Sequence, residues 1–160
     1  MTAKAAAAPA RTDELAGADP AALQAWHLQA RIYLRQLAGL AELLQSGEPD
    51  AELRAEAGAI EAFFSDTARQ HHVDEERSVI PSLLASGDPG QVASARTMQQ
   101  DQGWIETNWT ALAPQLRAIA AGNHWIDPAE FVHDAEVFNE LCSEHIALVE
   151  TALAARPAAL

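Results

Sequence analysis

Cysteine occurs once in this chain of 160 residues, at Cys142. No intramolecular disulfide can therefore staple the fold, and such usage fits a reducing compartment. Basic residues are scarce: 10 Lys and Arg stand against 23 Asp and Glu, a formal net charge of −13. A field of that sign repels phosphate backbones and anionic lipid, which argues against nucleic-acid and membrane-surface binding. No apolar run approaches the roughly 20 residues needed to span a bilayer. Alternating apolar and polar stretches of useful strand length are also missing, as are a phosphate-binding glycine loop and a nucleophile–base pair.

What remains is the composition of one folded domain. At 49% hydrophobic and 21% charged residues, the chain is too apolar for disorder and long enough to bury a core without a staple. The opening stretch, MTAKAAAAPARTDELAGA, has an Ala run too short and too weakly apolar for a secretory leader. We expect a disordered tail over 1–18, a folded domain over 19–157 and a cytoplasmic location.

Proline and glycine punctuate that domain. Asp19-Pro20, Asp88-Pro89 and Asp127-Pro128 each set an acid before a proline, the order of an N-cap and first helical residue. A fourth start lies at Glu48-Pro49-Asp50, and Gly47, Gly87 and Gly122 mark stops. The spacing predicts helices over about 20–46, 50–86, 88–121 and 127–155, with Pro81 and Pro114 kinking or breaking two of them. Short connections between long helices imply an all-α, up-down-up-down antiparallel four-helix bundle.

Apolar residues recur every three or four positions along each helix, giving one inward stripe apiece. Each stripe carries one strongly polar residue: His27, His71, Gln102 and His145. Counted from the helix ends at about 1.5 Å per residue, the four lie at one height. The separations His27 to His71 and Gln102 to His145 are 44 and 43 residues, as for two helical hairpins related by a pseudo-twofold. Glu75 and Glu106 follow His71 and Gln102 by four residues, on the same helix face, and Glu150 follows His145 by five. Imidazole and carboxylate together in a bundle core suit iron, manganese or zinc. Without a metal, such a layer must satisfy itself by hydrogen bonds.

The run His71-His72-Val73-Asp74-Glu75-Glu76-Arg77-Ser78-Val79-Ile80-Pro81 resembles the second-helix signature of the hemerythrin-like HHE cation-binding domains. His27 falls where that family has its first-helix His. The segments Gln100–Glu106 and Glu144–Glu150 are similar to its third- and fourth-helix motifs, so the likeness spans about 20–157. The resemblance implies a four-helix bundle holding a non-heme iron centre, usually a di-iron one bridged by carboxylates. Carried over by motif, the metal ligands are His27, His71, Glu75, Glu106 and His145, with Glu150 as a candidate bridge. His72 and Glu76 then become supporting or surface residues.

The chain departs from that pattern twice. Gln102 stands where the third helix normally supplies a His, and Val149 where the fourth often supplies a Glu. The donor count therefore admits one metal, a weakened pair, or a site without metal. Cys142 reads as a buried structural thiol, Trp109 as core, His124 as loop, and Glu130 with His133 as capping and surface. The function implied is a protein binding one or two irons per chain and, through them, a diatomic ligand such as oxygen or nitric oxide. The alternative is a metal-poor or metal-free bundle acting as an interaction or regulatory module. An enzymatic role in peroxide disposal or nitrosative-stress repair rests on the resemblance alone, and no protein partner is indicated.

Overall fold

The computed structural model describes residues 19–123 and 125–156. The expected tail over 1–18, the last residue of the expected domain and the loop position His124 lie outside them. Four helical runs make up the described chain: α1 (Pro20–Ser46), α2 (51–84), α3 (Pro89–Ala120) and α4 (Pro128–Ala154). Each packs against its two neighbours, α1 on α2 and α4, and α3 on α2 and α4. The result is the expected antiparallel bundle, with no strand among the described residues.

All four starts are capped by an Asp whose side chain accepts a backbone N–H: Asp19 from Ala21, Asp50 from Leu53, Asp88 from Gln91 and Asp127 from Ala129. Each such cap is worth about 1 kcal/mol. After α2 and α3 the chain turns through Gly87 and Gly122 at φ 74° and 72°, which a residue with a Cβ adopts only under strain.

The prolines behave differently from one another. Pro81 lacks an N–H and crowds the carbonyl four residues back. The chain answers with a π-helical turn at Glu75–Val79 just before it, and a second occupies Phe64–Ala68. The expected break at Pro114 does not form. Proline stands inside an uninterrupted α3, flanked by buried Leu112, Ala113 and Leu116, whose packing on the neighbouring helices holds the segment helical.

The apolar core comes in two blocks. The larger gathers Leu34, Leu37, Phe64, Leu112, Phe131 and Phe138 among others, and the smaller gathers Leu23, Val79, Leu83, Met98 and Val149. Between them, in sequence order along α1, α2 and α3, fall the buried polar residues His27, His71, His72, Glu75 and Gln102, and on α4 His145 stands at the edge of the larger block, between Cys142 and Ile146. No helix among the described residues is long and apolar enough to cross a membrane.

Candidate metal centre

Glu75 lies at the middle of the polar layer, with 0% of its surface exposed. Its Oε2 accepts hydrogen bonds from His145 Nε2 and from the Gln102 amide, both at 2.9 Å. Its Oε1 lies 2.9 Å from His71 Nε2 and 3.8 Å from His27 Nε2. Those two Nε2 atoms are themselves 3.2 Å apart. One carboxylate thus joins two donor groups, His27 with His71 and Glu75, and His72 with Glu75 and His145. Within each group the donor atoms lie within 4.8 Å of one another.

His72 is the residue that sequence reasoning left outside. It is buried at 5% exposure rather than at the surface, and it completes the second group. In a regular α-helix, adjacent residues point about 100° apart and a narrow seam admits one of them. The two π-helical turns that bracket His71 and His72 each insert a residue into the spiral, so the inward face shifts and both rings are enclosed. The only signal in the sequence was Pro81, which demands a local widening upstream of itself.

Gln102 occupies the expected height, but its amide N–H points at Glu75. Glu150 does not bridge. Its Oε1 stands 3.3 Å from His27 Nδ1, the ring nitrogen away from Glu75, and Arg31 clamps its two oxygens at 2.8 and 2.9 Å. Five residues beyond His145, its direction is too far round α4 to enter the layer. Glu106 also stays outside, 61% exposed, with Oε1 3.8 Å from His72 Nδ1. Asp101, given no role from sequence, stands 3.8 Å from His145 Nδ1. Three imidazoles therefore have a carboxylate near their outer nitrogen, close enough to favour a proton there though none makes a hydrogen bond.

The fourth imidazole is held by an aromatic. Trp26 stacks on His71 with ring centroids 3.8 Å apart and planes 12° from parallel, while its indole N–H donates to Thr67 at 2.9 Å. Trp109 is half-buried rather than core, and Cys142 is buried, its thiol pushed up by burial. Glu130 and His133 are both exposed.

Charge and burial compete in this layer. Burial pushes the Glu75 carboxyl up, yet the imidazoles of His145, His27 and His71 override it and hold it well below the usual carboxylate range. Burial pushes His71 down and takes His72 to about 4, so both favour neutral rings. Four buried atoms lack a hydrogen-bond partner among the described residues: Nδ1 of His27, His72 and His145, and Oε1 of Glu75. An orphaned buried acceptor costs about 1–3 kcal/mol, and more when charged. A carboxylate oxygen and two imidazole nitrogens crowded within 3.8 Å repel unless a proton or cation lies among them. The residues present fit a metal on both counts, and neutral imidazole with carboxylate is a donor set for iron, manganese or zinc.

Residues 21–156 match the sequence model of the Hemerythrin HHE cation binding domain. A protein of Haemophilus influenzae (strain ATCC 51907 / DSM 11121 / KW20 / Rd), described as an uncharacterized protein, is 28% identical over 129 residues. That alignment covers 80% of this chain and 72% of the relative. No solved structure matches the chain.

Proposed function

The chain belongs to the hemerythrin HHE cation-binding domain family, and from that premise we propose that it holds two iron ions in the bundle core and offers one of them to a diatomic ligand such as oxygen or nitric oxide. One observation carries this reading: a wholly buried carboxylate, Glu75, has one oxygen beside His27 and His71 and the other against His145. A buried anion between two imidazole groups has the form of a bridge between two cations.

In this reading His27, His71 and Glu75 hold the first ion, and His72, His145 and Glu75 the second. His72 supplies the imidazole that the third helix lacks. Iron held by neutral imidazole and carboxylate with an open position supplies binding and activation of small oxidising ligands. The protein's own groups prepare that state. Gln102 holds Glu75 in place by donating to Oε2. With metal bound, Glu150 and Asp101 would favour the proton on Nδ1 of His27 and His145 and leave Nε2 free to donate its lone pair. Arg31 fixes Glu150, and apolar residues above and below keep bulk water out of the layer.

Elemental analysis of freshly purified protein, followed by the ultraviolet–visible spectrum of the air-exposed, iron-loaded form, tests the reading. About two irons per chain and a near-ultraviolet band of an oxo-bridged pair are expected. Less than half an equivalent of any transition metal after loading, with no such band, would refute it. That outcome would favour the metal-free bundle, in which Gln102 and His145 hold Glu75 through its Oε2 alone.

A further inference from the structure

A cleft of about 330 Å³ opens between α2, α3 and α4 and reaches His72. Its floor is a triangle of rings: Phe64 lies 5.4 Å from Trp109 and 5.1 Å from Phe138, and Trp109 lies 5.0 Å from Phe138. The volume admits a ligand larger than two atoms. A diatomic ligand would leave nearly all of it empty, whereas benzene fits a cavity of about 150 Å³ and small-molecule sites begin near 300 Å³.

We propose that this cleft binds a neutral single-ring phenol, with the ring on the Phe64–Trp109–Phe138 floor and the hydroxyl between His72 and Glu106. His72 lines the cleft, is 5% exposed, and its buried Nδ1 has no hydrogen-bond partner. Glu106 Oε1 stands 3.8 Å away, too far to accept directly from that nitrogen. A hydroxyl accepts from an imidazole N–H and donates to a carboxylate, so it closes the gap with two hydrogen bonds. Arg69 and Glu106 both line the cleft, so net charge does not select the ligand and the hydroxyl does: toluene, with the ring but no hydroxyl, cannot make those two bonds. Phenol binding does not require a metal: a metal ion held by His72 would take one ring nitrogen and leave the other for the hydroxyl.

The test is a phenol titration of the full chain, metal-free and iron-loaded, read from the Trp109 indole N–H resonance and by calorimetry. A dissociation constant near about 1 mM is expected for so small a ligand. Toluene should bind at least tenfold more weakly. Thr110→Phe, which adds bulk at an exposed lining position on α3 outside both donor groups, should weaken phenol at least tenfold while leaving the iron count unchanged. Trp109→Leu, which removes one ring of the floor, should weaken it likewise and serves if Thr110→Phe does not fold. No shift at the Trp109 indole at about 10 mM phenol, equal binding of toluene, or undiminished binding in the folded variants would overturn the proposal. Iron loading is scored separately, so failure here is distinguishable from failure of the metal reading.

Discussion

Glu75→Gln changes one atom at the centre of the layer and tests its logic directly. The side chain keeps its size, so no cavity opens. The change turns one oxygen into an NH₂, and the two positions differ. At Oε2 the new donor faces two donors, the Gln102 amide and the His145 ring, each at 2.9 Å. At Oε1 it faces the ring nitrogen of His71 at 2.9 Å, where a neutral imidazole accepts it and the remaining amide oxygen still accepts from Gln102 and His145. Those two bonds weaken as their acceptor loses its charge, offset by the new bond and by the buried charge that has gone. For the metal-free protein we expect a net change of no more than about 1 kcal/mol, or about 2–4 °C in Tm for a domain of this size. Metal binding should suffer far more. Each ion loses one of three protein donors and the only negative one, so affinity should fall more than the 10–100-fold typical of an outer supporting residue. The assay is elemental analysis after iron loading and desalting, with circular dichroism to show that the bundle persists. Two irons per chain should drop below one half. A folded variant that keeps wild-type iron would refute Glu75 as the shared ligand, and with it the division of the layer into two halves.

Three further outcomes follow from the same geometry. His71→Ala and His72→Ala should each remove about one of two irons, because the rings belong to different donor groups; elemental analysis showing full retention in either variant counts against that split. Gln102→His should slow iron loss to a competing chelator, since it adds an imidazole beside the His72–His145 group at a buried position that already hosts a polar side chain; unchanged kinetics would place residue 102 outside the ligand set. The metal-free protein should lose stability as the pH falls. His72 is held at about 4 against 6.5 when unfolded, so between those values the unfolded chain binds more protons and stability rises with pH. Urea unfolding should give a free energy lower by about 2 kcal/mol at pH 5 than at pH 7, and His72→Gln should flatten that slope.

The fold was legible because its signals are local. An Asp before a Pro declares its helix start without help from the rest of the chain, and three of the four Asp caps are where that pattern sets them, with Asp50 just after Pro49 as the fourth. The height of the polar layer was legible too, since a constant rise per residue carries His27, His71, Gln102 and His145 to one level. Direction within the layer was not. A regular spiral assigns one ring of the His71–His72 pair to the core, and only the widened turns on either side admit both. Spacing placed Glu106 and Glu150 near the layer but could not say whether a carboxylate meets an inner or an outer ring nitrogen. That choice rests on contacts between helices, as the Arg31 clamp on Glu150 illustrates. Trp109 lies on an inward seam, yet the cleft beside it leaves the ring half-open.

The polar layer that separates the two apolar blocks also sets how the molecule breathes. The smaller block takes the start of α1, the end of α2, the start of α3 and the end of α4, so it closes one end of the bundle. Its residues are joined to the larger block mainly through groups whose cohesion changes with protons and cations. Fraying at that end is therefore governed by occupancy of the layer, while the opposite end answers to its own larger core. Amide exchange along α1 should register this as a step in protection at His27, low before it and high after it in the metal-free chain, and levelled on loading. Occupancy would then be broadcast about 10 Å to the outer surface as a change in local order, without any rearrangement of the helices.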